Sequence, residues 1–227
     1  MNDFLVYVGI GLMLIAIVLG YQYSSIKFSK LLSSYLYKEL DGDKYLEALN
    51  SSKAKLFVRK NRREMLKVDA YAIQNDSEKL EKQFKNLESM KISYGQKISL
   101  YEKEVQYYAN SKQNDKAMIA YNELMMLGSQ INNENMTRVL NEATITIEVY
   151  VNRNGDFAEK LVELGKNSNT PIIKGIYFYK ASKCFYYKND KDNVIKYLKK
   201  AQNNLTSKVW RDHIDSCFSD FKKLDEK

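Results

Sequence analysis

Two patterns of apolar residues divide the chain. From Phe4 to Gly20 the sequence reads FLVYVGIGLMLIAIVLG, and no charged side chain occurs from Phe4 through Ile26. Beyond it the apolar residues recur every three or four positions, the period of a helix with one buried face. After Asn75 they are Leu80, Phe84, Leu87 and Met90; after Asn189 they are Val194, Leu198, Ala201 and Leu205. After Asn114 the stripe is Ala120, Leu124 and Leu127, and after Gly155 it is Phe157, Leu161 and Leu164. The segment 172–187 groups Tyr177, Phe178, Ala181, Cys184 and Phe185 on one side, and Thr170 followed by Pro171 marks its start as an N-cap with proline at the first helical position. A last stripe runs through Trp210, Ile214, Cys217, Phe218, Phe221 and Leu224. These periods predict an all-α chain.

The helices are punctuated by a recurring dipeptide, Asn or Gly followed by Asp. It stands at Gly42-Asp43, Asn75-Asp76, Asn114-Asp115, Gly155-Asp156 and Asn189-Asp190, with successive spacings of 33, 39, 41 and 34 residues. Glycine and asparagine tolerate the left-handed conformation that ends a helix. Aspartate accepts hydrogen bonds from the first free N–H groups of the next helix, and its charge suits that helix's positive end. The pattern predicts tight helical hairpins with turns near 42, 75, 114, 155 and 189.

The unit Gly175–Ser207, with Ala181 and Ser182 late in its first helix, Phe185 three residues on, and Leu198 and Ala201 in its second, resembles a tetratricopeptide (TPR) repeat, a helix pair of about 34 residues. Over 24–205 the resemblance implies a helical-hairpin solenoid, with 206–227 as its capping helix and tail. The chain departs from the family pattern in lacking its tryptophan, its Leu-Gly pair and its terminal proline. TPR resemblance implies scaffold or adaptor work on a protein or peptide partner.

The uncharged segment predicts a transmembrane helix over 4–23, preceded by a three-residue tail, because about 20 residues cross the roughly 30 Å hydrocarbon layer. Tyr7, Tyr21 and Tyr23 lie where interfacial aromatics belong. The lysines Lys27, Lys30 and Lys38 all follow the segment. The positive-inside rule then places the N-terminus outside and the following domain in the cytoplasm, as a single-pass signal-anchor protein.

Charge sharpens this picture at one place. The chain carries a net charge of +8, and Lys53–Lys67 (KAKLFVRKNRREMLK) opposes seven basic residues with the single acid Glu64. Lys55, Arg59, Lys60, Arg62 and Arg63 are the candidate binding residues, for anionic lipid or for a partner, and less readily for nucleic acid. The 18 tyrosines suit either a peptide groove or packing between repeats. Cys184 and Cys217 lie in apolar stripes and read as packing residues. The one histidine, His213, lacks companions at metal-ligand spacing. Gly-rich phosphate loops, nucleophile elbows and HExxH motifs are absent from the sequence, so no catalytic residue, cofactor or metal is assigned and the chain is not expected to be an enzyme. The expectation is a membrane-anchored TPR-like adaptor; the alternative is an anionic-lipid or nucleic-acid binder acting through 53–67.

Overall fold

Hydrogen-bonded helix accounts for most of the described residues because the sequence offers one proline and few glycines to interrupt it. In the computed structural model the helices are α1 Asn2–Ser34, α2 Gly42–Asn50, α3 Ser52–Phe57, α4 Lys60–Ile73, α5 Ser77–Ser89, α6 Tyr94–Asn110, α7 Asn114–Gly128, α8 Glu134–Thr146, α9 Ala158–Asn167, α10 Pro171–Tyr187, α11 Lys191–Asn204 and α12 Lys208–Ser219. The structure describes the backbone of residues 2–226 and the side chains of 13–226. No strand occurs among them. The fold is all-α and repeat-like, built from consecutive helices that pack in pairs, among them α4 with α5, α7 with α8, α9 with α10 and α10 with α11.

The expected transmembrane helix is corrected. Among the described residues no helix is long and apolar enough to cross a membrane. The single-pass placement, with the N-terminus outside and the domain cytoplasmic, falls with it. The side chains of 1–12, among them nine of the 20 residues of the expected segment, lie outside the described residues. The described uncharged stretch, 13–26, extends roughly 20 Å, short of the roughly 30 Å hydrocarbon layer. The backbone also does not end its helix at 23. α1 continues to Ser34, and Phe28 and Leu32 in its later turns, with Leu36 in the π turn that follows, form a buried stripe that packs with Tyr45, Leu49, Ala54 and Ala70. Its last turns, from Lys27 on, are therefore an amphipathic element of the domain.

The hairpin turns follow one device. Among the described residues five non-glycine residues have positive φ: Leu40, Asn75, Lys112, Arg153 and Asn189, at intervals of 35, 37, 41 and 36 residues. At Asn75, Lys112 and Asn189 the turn closes with a pair of backbone bonds. Asp76, Gln113 and Asp190 donate to the carbonyls of Tyr71, Tyr108 and Phe185, five residues back, while Asn75, Lys112 and Asn189 donate three residues back. This is the Schellman arrangement. At Leu40 and Arg153 the last helical turn is a π turn, Tyr35–Glu39 and Ile147–Val151, and the closing bond reaches six residues back, Asp41 to Tyr35 and Asn154 to Glu148. At four of these five turns the side chain of the residue after the left-handed position caps the next element; Gln113 at the third does not. Asp41, Asp76 and Asp190 accept from the N–H groups of Lys44, Lys79 and Asn193, and Asn154 accepts from that of Asp156.

Three of the five dipeptides thus work differently from their sequence reading. Gly42 and Gly155 have negative φ, and Asp43 and Asp156 cap nothing. At the third turn the left-handed residue is Lys112, and Asn114 already starts α7. The two glycines serve close approach instead. A Cβ on Gly42 would lie 2.6 Å from Gln74 Cγ and 3.0 Å from the Ala70 carbonyl oxygen. On Gly155 it would lie 2.4 Å from Lys188 Cγ and 3.2 Å from the Cys184 carbonyl oxygen. In both cases the neighbours stand five residues and one residue before the next left-handed asparagine. The aspartate after each glycine then bonds that same neighbour: Gln74 Nε2 donates to Asp43 at 2.7 Å, and Lys188 Nζ lies 3.2 Å from Asp156. Gly-Asp is a ledge on which the end of the next hairpin's first helix rests.

The chain forms two compact units, residues 1–100 and 101–227. In the second, α10 lies between α9 and α11, and α12 adds a further cover. Nine residues of α10, from Gly175 to Phe185, are buried, so it is enclosed on all sides rather than one-faced. Thr170 holds the N-cap position of α10 but makes no side-chain capping bond; the proline at its first turn suffices. Ile214, Cys217 and Leu224 join the same core; Ser207 caps α12, its hydroxyl accepting from the Trp210 N–H.

Candidate functional site

The basic run occupies two helices, not one. Ser51 caps α3, its hydroxyl accepting from the Ala54 N–H, and Ala54 is wholly buried, so Lys53 and Lys55 face outward. The chain then extends through Val58 and Arg59, and α4 begins at Lys60. Lys55, Arg59, Lys60 and Arg62 are exposed and form no ion pair among the described residues. Arg63 turns back, its Nη1 donating to the Val58 carbonyl at 3.4 Å. Lys67 is consumed by Glu64 at 2.8 Å, and Gln83 Nε2 donates to the same carboxylate at 3.0 Å. Burial alone would raise the Glu64 carboxyl, but the bonds from Lys67 and Gln83 outweigh it and hold the group below its ordinary range. Arg62 borders a cleft of about 230 Å³ whose wall includes Tyr45, Asp69 and the α1 serines Ser25, Ser29 and Ser33. Five sequence-predicted residues thus resolve into four free cations and one tied to backbone.

A second concavity lies in residues 134–177, between α8, α9 and α10. It measures about 710 Å³ and is lined by Asn135, Arg138, Asn141 and Glu142 from α8, Lys160 and Leu164 from α9, and Tyr177 from α10. These α8 residues share a face because they stand three or four apart. Glu142 is oriented from below: Tyr177 Oη donates to it, and Lys180 Nζ stands 3.6 Å away. Burial, and then the bond to Glu142, push the Tyr177 hydroxyl well above its ordinary value. Arg138 is steadied by Asn135 at 2.9 Å. The groove therefore presents a guanidinium, an ammonium, carboxylates and amides over an apolar floor of Ile145 and Leu164. Sequence reading placed Tyr177 and Leu164 in apolar stripes and singled out none of the polar residues; spaced polar residues on an exposed helix face look alike whether or not a neighbouring helix builds a wall opposite them.

A third cluster is buried beneath α12. Lys183 is 4 % exposed and lies over the Tyr150 ring, 4.5 Å from its centroid. Burial lowers its ammonium to about 8, with Asp225 opposing the shift. Lys180 is also depressed by burial, partly countered by Glu142. Tyr179 Oη and His213 Nε2 are 2.7 Å apart. Burial lowers the His213 imidazole, and Lys183 lowers it further. Both cysteines are buried and free, and burial pushes the Cys184 thiol up to about 12, a packing residue rather than a nucleophile. The sequence signal for this cluster was two lysines inside the apolar run YFYKASKCFYY. Among the described residues no group of three or more His, Cys, Asp or Glu could hold a metal ion.

No family model, curated protein or solved structure matches this chain.

Proposed function

We propose that the protein is a helical-repeat interaction module of TPR-like type that receives a polypeptide segment in the groove of α8, α9 and α10. The observation that carries this reading is the groove's lining: Asn135, Arg138 and Asn141 offer amide and guanidinium groups to a peptide backbone or acidic side chain, beside the apolar Ile145, Leu164 and Tyr177 ring. Polar groups set sparsely over an apolar floor are what an extended ligand needs for both affinity and register. The bond network Tyr177–Glu142–Lys180 keeps one wall rigid before anything binds, which lowers the ordering cost of association. The repeat-like pairing of helices, with a left-handed turn every 35 to 41 residues, supports the same reading.

The test is selection of peptides from a displayed library on the full chain, followed by titration. Arg138→Glu and Asn141→Ala are expected to weaken the selected peptide at least about tenfold, the loss of one or two directed hydrogen bonds. A selected peptide whose affinity ignores both substitutions and Leu164→Asp would move the site elsewhere and refute the proposal.

A further inference from the structure

The described apolar stretch of α1 and the junction of α3 with α4 form one surface. Tyr21 joins them: its hydroxyl donates to the Leu56 carbonyl at 3.2 Å, and its ring stands 5.2 Å from that of Phe57. On the α1 side, Leu14, Ile17, Val18, Leu19, Tyr23 and Ile26 are 53–71 % exposed. On the α3 side, Leu56 is 64 % exposed. Lys53, Lys55, Arg59 and Lys60, its near neighbours along the chain, are exposed and without ion pairs among the described residues. Lys27 and Lys30 extend the basic border along α1. No acidic residue occurs between Met13 and Lys38. Apolar area on this scale, rimmed by charge, marks a binding surface.

The pattern of exposure selects the occupant. The consecutive residues Leu14, Ile15, Ala16, Ile17, Val18 and Leu19 are all exposed, so the apolar surface runs round the helix rather than along one stripe. A partner helix, including one from a second copy, covers a single stripe. A nucleic acid would engage the cations and leave the leucines and isoleucines in water. A fluid apolar medium bordered by anions satisfies both halves at once. We propose that this surface docks on an anionic lipid bilayer, residues 13–26 entering the acyl boundary while Lys53, Lys55, Arg59 and Lys60 meet the headgroups. Docking of this kind requires no crossing of the bilayer.

Flotation of the full chain with phosphatidylcholine vesicles, with and without phosphatidylserine, tests the proposal. The chain is expected to float with the anionic vesicles in preference to the neutral ones. The Lys55→Glu, Arg59→Glu, Lys60→Glu triple variant is expected to lower partition into anionic vesicles at least about 100-fold, the factor the three lost attractions alone account for, with the added repulsions lowering it further. Val18→Asp with Leu19→Asp is expected to abolish flotation on both. These side chains are exposed, so thermal melts in the absence of lipid are expected to stay unchanged and a loss of binding is not a loss of fold. Equal partition into both vesicle types, or partition unaffected by the triple variant, overturns the proposal. So does an RNA oligonucleotide that displaces the chain from vesicles at matched phosphate. Lipid-free dimerisation abolished by Val18→Asp, with no flotation of the wild type, overturns it in favour of a second copy.

Discussion

The joint at Leu40–Asp43 and the joint at Arg153–Asp156 share a geometry and differ in chemistry. Each begins with a π turn and a left-handed non-glycine residue, places glycine two residues on, and ends with an aspartate that bonds the residue before the next left-handed asparagine. In the first the bonded partner is the neutral Gln74. In the second it is Lys188, which also reaches Glu159 at 3.4 Å. What is shared is steric, the backbone conformation and the absence of a Cβ. What varies is an exposed polar pair, which contributes little to stability in water. The surroundings differ too. The helix resting on the second ledge, α10, is enclosed by α9, α11 and α12. The helix resting on the first, α4, buries Met65, Val68 and Ala70 and leaves several residues exposed. A joint of one shape can therefore serve a thinly covered region and a deeply packed one.

Gly42→Ala and Gly155→Ala give the sharpest test. Gly42→Ala is expected to cost about 3 kcal/mol, at the upper end for overpacking, because the added methyl meets the Ala70 carbonyl at 3.0 Å. Gly155→Ala is expected to cost about 1–2 kcal/mol, since its nearest obstacle, Lys188 Cγ, belongs to a flexible side chain and the Cys184 carbonyl stands back at 3.2 Å. Urea midpoints of the two variants check the order; equal, negligible costs would show that the ledges carry no close packing.

Lys183 distinguishes the enclosed helix from its counterpart. With its ammonium held at about 8 by burial, keeping the charged form inside costs about 3 kcal/mol near neutrality. Lys183→Met is expected to raise stability by about 2 kcal/mol at pH 7, part of the gain being offset by the lost contact with the Tyr150 ring. The sign follows from linkage. Between about 8 and the ordinary lysine value the unfolded chain binds the extra proton, so the wild type gains stability as pH rises through that window and the advantage of the variant shrinks. Denaturation midpoints of both chains at pH 7 and pH 9.5 check this; a constant difference would show that Lys183 is not desolvated.

The left-handed residues come next. Leu40→Gly and Arg153→Gly are expected to stabilise by about 0.5–1 kcal/mol, relief of backbone strain exceeding the entropy that glycine adds to the unfolded chain. Asn75→Gly and Asn189→Gly are expected to gain less, because asparagine already tolerates that conformation. Thermal melts rank the four. The smallest effect belongs to the polar pair: Gln74→Lys is expected to leave the midpoint nearly unchanged in physiological salt and to add only a faint salt dependence, checked by melts at low and high ionic strength.

The sequence alone carried the helical period, the places where the chain turns, and the apolar stripe of α12. These are local properties, and spacing along the chain reports them directly. Asn75-Asp76 and Asn189-Asp190 were legible because in them the residue that tolerates the turn is also the residue that makes it. Leu40, Lys112 and Arg153 were not legible, because the strain they bear is tolerated only inside a closed turn whose hydrogen bonds reach five or six residues back. The basic run was visible as composition, yet its break at Val58 and Arg59 was not, since no proline or glycine announces it. The groove of α8, α9 and α10 and the burial of Lys183 depend on which helices face each other. The continuation of α1 past the uncharged stretch into a core-packing stripe likewise depends on what Phe28, Leu32 and Leu36 find opposite them. Periodicity says that a helix has an apolar face; only the partner helices decide whether that face, a lysine within it, or a glycine at its end is covered.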